Sequence, residues 1–157
     1  MTRQEKWDRF YLGLAQYYST ASKDPSTQVG AVLVDPNRNR PVGWGYNGFP
    51  EGVEDTSERL NNRELKYKLV VHAEVNAILC AAKAARGATL YVFPSFVLPP
   101  ICSDCAKTAI QAGVHTIVGF EPDESDPRVA RWKDSIAVAR EMWVETGRTW
   151  RSYKQGE

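Results

Sequence analysis

The chain contains 157 residues, which is the usual size of one domain, so we expect a single domain over residues 1–157. Hydrophobic residues make up 43% of the chain and charged residues 25%, as in an ordinary globular protein with its own core. The net charge is only +1 and the basic residues are scattered, which argues against a long nucleic-acid-binding surface. There is no apolar run of membrane-spanning length and no apolar leader at the N-terminus, so we expect a cytoplasmic protein.

The N-terminal part predicts a helix followed by a hairpin. The helix runs from Gln4 to about Ser19, and Thr2 with Glu5 forms a capping-box pattern at its start. Aromatic and apolar residues at spacings of three and four predict one apolar face, which we assign to the core or to a subunit interface: Trp7, Phe10, Tyr11, Leu14, Tyr17 and Tyr18. The runs 29–34 and 41–45 flank a polar turn and predict an antiparallel hairpin.

The remainder of the chain alternates predicted helices and strands. The stretch 47–69 is polar and turn-rich, with one helical segment near 57–66. Predicted helices at 71–85, 105–112 and 129–146 alternate with predicted strands at 89–93, 115–120 and 149–153. A crossover helix returns the chain to the same sheet, so these strands are expected to pair in parallel. The whole order indicates one three-layer α/β domain.

Apolar residues also recur along the last predicted helix. Trp132, Ile136, Ala139 and Trp143 share one face, which we assign to the core or to a subunit interface.

The three cysteines are Cys80, Cys102 and Cys105. An odd number in a chain without an export signal indicates free thiols rather than disulfides. Cys102 and Cys105 form a Cys-x-x-Cys motif, which is typical of a metal site or of a redox pair. A redox pair would be expected after a first strand, whereas this motif lies two thirds of the way along the chain.

A histidine at the start of another helix completes a candidate metal site. One imidazole from His72 and two thiolates from Cys102 and Cys105 are donors that Zn²⁺ prefers. Both segments lie at predicted helix N-termini, where the helix dipole favours thiolate. Three protein ligands leave a fourth position for water, as a catalytic zinc site requires.

The alternative is a closed structural zinc site with a fourth protein ligand. His115 lies beyond the helix that Cys105 opens, about 15 Å away at the usual helical rise. Cys80 lies about 12 Å along its helix from His72 and is expected to be a buried apolar residue. We therefore favour an open site.

Glu74 has two interpretations. It is either a helix-start carboxylate that stabilises the dipole or a general base beside the metal. Two residues from His72 on a regular helix, it would point away from the histidine, so the second interpretation requires His72 to precede the helix. Periodicity alone does not decide between them.

The order H-x-E followed by C-x-x-C resembles the signature of zinc nucleobase deaminases, in which the Glu is not a ligand. Over roughly residues 7–120 the sequence is similar to the cytidine deaminase superfamily, and within it to the deoxycytidylate (dCMP) deaminases. Further matching stretches are Ser22–Pro25 with Gln28–Ala31, Gly45–Pro50, His72–Ile78 and Cys105–Gly113.

This resemblance implies a three-layer α/β/α fold with a mixed central sheet and hydrolysis of dCMP to dUMP and ammonia. It also implies that His72, Cys102 and Cys105 hold one zinc ion per chain and that Glu74 moves the proton.

The same resemblance implies substrate contacts. Ser22 and Lys23 would hold the 5′-phosphate, Asn47 the sugar hydroxyl, and Ala73 would also contact the substrate. From the residues alone, Lys23 is equally well a solvated lysine at a helix end and Asn47 part of a plain Gly-Asn turn.

Assembly and regulation are implied in the same way. Regulated members of the family are homohexamers that bind dCTP as activator and dTTP as inhibitor, and the nucleotide effector would bring Mg²⁺. The implied effector loop contains Gly45, Tyr46 and Gly48.

One departure from the family pattern lies beside the zinc motif. Ile101 occupies the position before the first cysteine where the family usually has Pro, and the loop 93–101 is longer than usual. Alternative substrates therefore stay open: 5-substituted dCMP, dCTP, a nucleoside or an RNA base. A non-catalytic zinc-stapled binding module is the alternative outside enzymes, and it would need a fourth protein ligand.

Overall fold

The computed structural model describes residues 1–156 and contains six helices and five strands within that range. The helices are α1 (Arg3–Ser19), α2 (Ser57–Asn61), α3 (Arg63–Leu69), α4 (Ala73–Ala81), α5 (Ser103–Ala112) and α6 (Pro127–Glu145). The strands are β1 (Gly30–Asp35), β2 (Arg40–Tyr46), β3 (Thr89–Phe93), β4 (Thr116–Phe120) and β5 (Thr149–Tyr153).

The strands form one mixed sheet in the order β2-β1-β3-β4-β5. Strand β1 pairs antiparallel with both β2 and β3, while β4 pairs parallel with β3 and with β5. The predicted hairpin and the predicted parallel crossovers are both confirmed. The mixed character arises where the hairpin meets β3.

Helices cover the two faces of the sheet. Successive side chains of a strand point to opposite faces, so Ala31 and Leu33 pack with α4 and α5, whereas Val32 and Val34 pack with α1. Trp143 brings α6 into the first of these cores, where its side chain is fully buried. The result is the three-layer α/β/α arrangement that the sequence predicts.

Glycines allow β2 to lie unusually close to α4. A Cβ at Gly45 would lie 2.7 Å from the backbone nitrogen of Ala77 and 2.8 Å from the carbonyl oxygen of Ala73. This close approach fixes the start of α4, and with it His72 and Glu74, against the end of the hairpin.

Only part of the predicted apolar face of α1 lies in the core. Phe10 and Tyr17 are 60% and 75% exposed, whereas Asp8 is fully buried on the face that contacts the sheet. The aromatic residues of this helix cover an arc wider than the buried face, so spacing alone could not separate the two sides.

Two further expectations need correction. The segment near 57–66 is two short helices, because Asn62 leaves the helical conformation (ψ 98°) and caps α3 through its side chain. Cys80, which the sequence placed in the core, is exposed. Helix α4 ends at Ala81 and is followed by a single 3-10 turn over Ala82–Ala85.

Within residues 1–156, no helix combines the length and the apolar character needed to cross a membrane.

Candidate metal centre and substrate cavity

Four side chains with metal-binding atoms meet at one point: His72, Glu74, Cys102 and Cys105, whose ligand atoms all lie within 4.8 Å of one another. The Nδ1 atom of His72 is 3.3 Å from Sγ of Cys105 and 3.5 Å from Sγ of Cys102. His115 is elsewhere, beside Thr116 at the opposite end of β4, with its Nδ1 3.2 Å from the threonine Oγ1. The structure therefore brings the imidazole and the two thiols together without the second histidine.

Helix N-termini hold both parts of this cluster. His72 is the N-cap of α4 and Cys102 is the N-cap of α5, each with an extended backbone (ψ 152° and 164°). The Cys102 sulfur accepts a hydrogen bond from the backbone N–H of Cys105 at 3.5 Å. The unpaired N–H groups and the dipoles of two helices are thus directed at the cluster, which favours anionic ligands.

Glu74 lies on the metal side because His72 precedes the regular helix. With His72 extended, Glu74 is the second residue of α4, and the residue is 6% exposed. The geometric condition for the general-base interpretation is therefore met. Burial raises the pKa of the Glu74 carboxyl, although the nearby His72 opposes the rise.

Hydrogen bonds within the cluster shift the pKa values of the two thiols and of the imidazole. The hydrogen bond from Cys105 and the contact with His72 lower the pKa of Cys102 to about 4, against the effect of burial. The bond with Cys102 in turn raises the pKa of His72 to about 9, and the same thiolate together with burial raises the pKa of Cys105. A bound cation would favour the deprotonated form of both thiols and of the imidazole nitrogen that faces it.

These donors fit zinc. Zinc favours tetrahedral sites built from thiolate sulfur and imidazole nitrogen, and three such donors converge here with a carboxylate beside them. His72, Cys102 and Cys105 are the groups that would hold the ion, and Glu74 is the group that could exchange a proton with a fourth, non-protein ligand.

A cavity opens beside the cluster and is mostly apolar. Val29, Val92, Ile101 and Ile136 contribute apolar walls, and the long loop adds Pro94, Phe96 and Pro100. Polar groups reach it from Asp24, Asn47, Lys66 and Arg131. An apolar cleft with a few placed polar groups is the usual form of a small-molecule site.

Asn47 lies in this cavity with much of its amide already bonded. Its Oδ1 accepts from the Val29 N–H at 2.8 Å and its Nδ2 donates to the Thr27 carbonyl at 2.8 Å. One lone pair and one N–H remain for a ligand. Ala73 also lines the cavity, at the first turn of α4.

Ser22 and Lys23 do not line this cavity. The buried Ser22 hydroxyl donates to the Asn47 carbonyl at 2.9 Å, so it supports the turn that carries Asn47. The Lys23 side chain is 71% exposed, pairs with Asp55 at 3.0 Å, and lines a neighbouring cleft on the other side of Asn47.

Two residues of the loop that contains Gly45, Tyr46 and Gly48 have structural roles. Gly45 allows the close approach of β2 to α4, and the Tyr46 carbonyl accepts a hydrogen bond from Asn76 Nδ2 at 2.9 Å. Gly48 faces open space and lines the neighbouring cleft with Lys23.

Sequence reasoning missed two groups in the cavity wall. Lys66 is 5% exposed and its Nζ bonds Asp24 Oδ1 at 3.1 Å and Ser26 Oγ at 3.0 Å. Trp132, which the sequence predicts in the core or at an interface, lines the cavity, and its ring meets the His72 ring edge-on at 6.4 Å between centroids. Neither a lysine in a polar segment nor a tryptophan in an apolar stripe indicates from the local sequence that it will line a cavity.

Comparison with known proteins identifies the class. Residues 5–121 match the family model described as the cytidine and deoxycytidylate deaminase zinc-binding region. The deoxycytidylate deaminase of Homo sapiens is 34% identical over 158 residues, covering 94% of this chain and 80% of the human protein. An uncharacterized deaminase from Aliivibrio fischeri is 37% identical over 144 residues, covering 90% of each chain.

A solved structure supports the same class. The dCMP deaminase of cyanophage S-TIM5, crystallised with dCMP and dUMP, superposes with a TM-score of 0.68 at 25% sequence identity, covering 97% of this chain and 98% of that one. The chain belongs to the cytidine and deoxycytidylate deaminase family.

Proposed function

We propose that this protein catalyses the hydrolytic deamination of dCMP to dUMP and ammonia. The observation that carries the proposal is the convergence of His72, Cys102 and Cys105 with the buried Glu74 at the mouth of an apolar cavity, in a chain of this family. A zinc-stapled binding module would need a fourth protein ligand, and among residues 1–156 the only other group in the cluster is this glutamate.

The reaction replaces the C4 amine of cytosine by oxygen from water. Zinc, when bound, lowers the pKa of water so that a hydroxide nucleophile is available near neutral pH. Glu74 would take one proton from water as the water oxygen bonds C4, and would pass that proton to N3 of the ring. It would then take the second proton from the new C4 hydroxyl and deliver it to the amine as the C4–N bond breaks, so that the products are a C4 carbonyl and ammonia. The apolar walls exclude bulk water, which strengthens the interaction between Glu74 and the reacting atoms.

We assign the 5′-phosphate to Lys23, with Ser22 holding the turn and Asn47 bonding the sugar hydroxyl. Lys23 is exposed and lies across Asn47 from the cavity, so a nucleotide with its base in the cavity and its sugar at Asn47 would extend toward it. The ion pair with Asp55 would open to admit a phosphate, because an exposed pair of this kind contributes little stability.

A substrate panel tests the proposal and this assignment. Ammonia release should be fastest with dCMP and slower with dCTP, CMP, deoxycytidine and 5-substituted dCMP. Lys23→Ala should raise KM for dCMP while leaving kcat and the slow deoxycytidine reaction nearly unchanged, because a phosphate contact is made equally in the ground and transition states.

Lys83→Ala, on the exposed 3-10 turn, is the matched control and should change neither reaction. Equal loss on dCMP and deoxycytidine in Lys23→Ala would mean that Lys23 acts through stability. The phosphate would then be reassigned to Lys66, the buried cation that lines the cavity.

The proposal extends to assembly, regulation and location. The exposed aromatic side chains Phe10, Tyr17, Trp44 and Tyr46 are suited to contacts between subunits of a homohexamer in the cytoplasm. Effector nucleotides, dCTP with Mg²⁺ as activator and dTTP as inhibitor, are assigned to the loop of Gly45, Tyr46 and Gly48. Light scattering should give six chains per particle, and dCTP should increase the rate at low dCMP.

A further inference from the structure

A buried ion pair connects helix α3 to the loop that precedes β1. Among residues 63–69 only Lys66 is buried, and its Nζ atom lies 3.1 Å from Oδ1 of Asp24. The two side chains are 7% and 9% exposed. A buried ion pair adds little net stability over an apolar pair of similar size, and its best-attested use is to fix how two segments fit together. This pair therefore fixes α3 against the segment that begins at Asp24.

The carboxylate of this pair also builds a tight turn. Oδ1 of Asp24 accepts hydrogen bonds from the backbone N–H of Ser26 at 2.9 Å, from the backbone N–H of Thr27 at 3.0 Å and from the Ser26 hydroxyl at 3.1 Å. Burial opposes ionisation of Asp24, but the hydrogen bonds from Thr27, Ser26 and Lys66 outweigh it, and the pKa of this carboxyl is lowered. Lys66 Nζ also donates to Ser26 Oγ at 3.0 Å, so the lysine holds the turn 24–27 at two points.

This turn holds the amide of Asn47. The Nδ2 atom of Asn47 donates to the Thr27 carbonyl, and its Oδ1 accepts from the Val29 N–H, each at 2.8 Å. Thr27 is thus bonded to Asp24 through its N–H and to Asn47 through its carbonyl. A displacement of the turn would therefore move the Asn47 amide, which keeps one lone pair and one N–H for a ligand. Lys66, Asp24 and Asn47 all line the same cavity.

A direct contact between Lys66 and the phosphate of a nucleotide is the competing role. Asp24 already balances the charge of this lysine, and two of the three ammonium N–H groups are bonded to Asp24 and Ser26. The Lys23 side chain, by contrast, is 71% exposed and pairs with the exposed Asp55. The bonds of Lys66 thus favour a role in holding the turn.

We propose that Lys66 and Asp24 are positioning residues that hold the amide of Asn47 in place for the sugar of the nucleotide. The inference rests on the proposed deaminase function and on the assignment of the sugar hydroxyl to Asn47. In dCMP that hydroxyl is the 3′-hydroxyl, because the 2′ carbon carries only hydrogen and the 5′ oxygen carries the phosphate. Substrates with a 3′-hydroxyl therefore depend on the ion pair, and substrates without one do not.

The test compares dCMP with its 2′,3′-dideoxy analogue, which has no hydroxyl for Asn47 to bind. Lys66→Met removes the charge and keeps the length of the side chain. We expect it to lower kcat/KM for dCMP about tenfold, mainly through KM, because the hydroxyl contact is made equally in the ground and transition states. The reaction of the dideoxy analogue should change by less than about twofold. The control is Lys68→Met, exposed on the same helix, which should change neither reaction.

A double variant keeps the inference testable if Lys66→Met fails to fold with Asp24 left as an unpaired buried charge. In Asp24→Asn/Lys66→Met no charge is left in the pair, and the amide oxygen at position 24 can still accept from the N–H groups of Ser26 and Thr27. The turn is then retained while its connection to α3 is lost. This variant should unfold in one cooperative thermal transition and show the same loss of about tenfold on dCMP alone.

The outcomes separate this inference from the proposed function. Equal losses on dCMP and the dideoxy analogue would overturn the positioning role: Lys66 would contact the phosphate if deoxycytidine were unaffected, and would act through stability if deoxycytidine lost as much. Wild-type protein that deaminates dCMP and the dideoxy analogue equally well would overturn the sugar assignment and this inference, while the proposed function would stand. Failure of the wild-type protein to release ammonia from dCMP would overturn the proposed function and this inference with it.

Discussion

Glu74 is the residue on which the chemistry depends most. It is almost fully buried, lies within 4.8 Å of the three candidate ligands, and has its pKa raised by burial. A raised pKa suits a group that must accept a proton from water and return it within one cycle.

Glu74→Gln should therefore lower turnover strongly while leaving fold and zinc in place. The amide keeps the size and polarity of the side chain but cannot accept a proton, so kcat should fall by about 10²–10⁴-fold or more. The measurement is ammonia release together with zinc content and thermal denaturation. Glu64→Gln, exposed on α3, is the control, and near-normal turnover in Glu74→Gln would reduce Glu74 to a carboxylate that stabilises a helix.

For individual residues, the sequence predicts the candidate metal ligands but not all of the residues that line the cavity. His72, Cys102 and Cys105 are readable because metal binding needs particular donor atoms at particular spacings, and these are local patterns. Lys66 and Trp132 reach the cavity only through tertiary packing, from segments far away in the chain. The sequence pattern also does not show that Lys23 lies across Asn47 from the cavity, in a neighbouring cleft.

Among the elements, α5 depends on a single glycine for its end. Gly113 has φ 88°, and its N–H bonds the carbonyls of Ala109 and Ile110 to close the helix that carries Cys105. A Cβ at this position would be strained by the backbone and would lie 3.0 Å from Cγ of Arg86.

Gly113→Ala should accordingly lower the free energy of unfolding by about 1–2 kcal/mol. Gly13 is the matched control, because it lies in the middle of α1 where an added Cβ meets nothing within 4 Å. Gly13→Ala should raise the free energy of unfolding by about 0.5–1 kcal/mol. Urea denaturation of the two variants gives both values, and a stable Gly113→Ala would contradict the role assigned to the left-handed cap.

Element order was predictable from the sequence, and several details were not. The strands and the hairpin follow from short β-branched runs between turns, and the stop of α5 follows from Gly113. The break between α2 and α3 depends on one asparagine leaving the helical conformation, which periodicity does not detect. The antiparallel contact of β1 with β3 depends on the order of strands in space, and adjacent sequence does not encode it.

At the scale of the whole molecule, Asp8 connects elements that lie far apart in the chain. This fully buried carboxylate accepts hydrogen bonds from Tyr91 at 2.7 Å, from Tyr153 at 2.6 Å and from Arg151 at 2.7 Å and 3.0 Å. It therefore links α1 to β3 and β5. Periodicity assigns only aromatic and apolar residues to this face of α1. It does not identify Asp8, because the hydrogen-bond partners of Asp8 lie more than eighty residues away in the chain.

Burial opposes ionisation of Asp8, but the hydrogen bonds from Arg151, Tyr153 and Tyr91 outweigh it, and the pKa of this carboxyl is lowered. A folded-state pKa below the unfolded value of about 3.9 gives stability that is present above that pH and is lost as the pH falls through the folded value.

Asp8→Asn should therefore lower the free energy of unfolding by about 3 kcal/mol near pH 7, because Arg151 loses its anionic partner. The difference from wild type should shrink as the pH falls below about 4. Urea denaturation at several pH values measures both effects, with the exposed Asp134→Asn as control. A difference that stays constant down to pH 2 would contradict the ionised state of Asp8.

We expect the reaction to require zinc held by His72, Cys102 and Cys105, and one measurement tests this requirement directly. Zinc content and ammonia release from dCMP are determined on the same samples of wild type, Cys102→Ala and Cys80→Ala. We predict one zinc ion per chain and full activity for wild type and for the exposed Cys80→Ala, with loss of both zinc and activity in Cys102→Ala. Unchanged zinc content in Cys102→Ala, or zinc-loaded wild type that releases no ammonia from dCMP, would contradict the account.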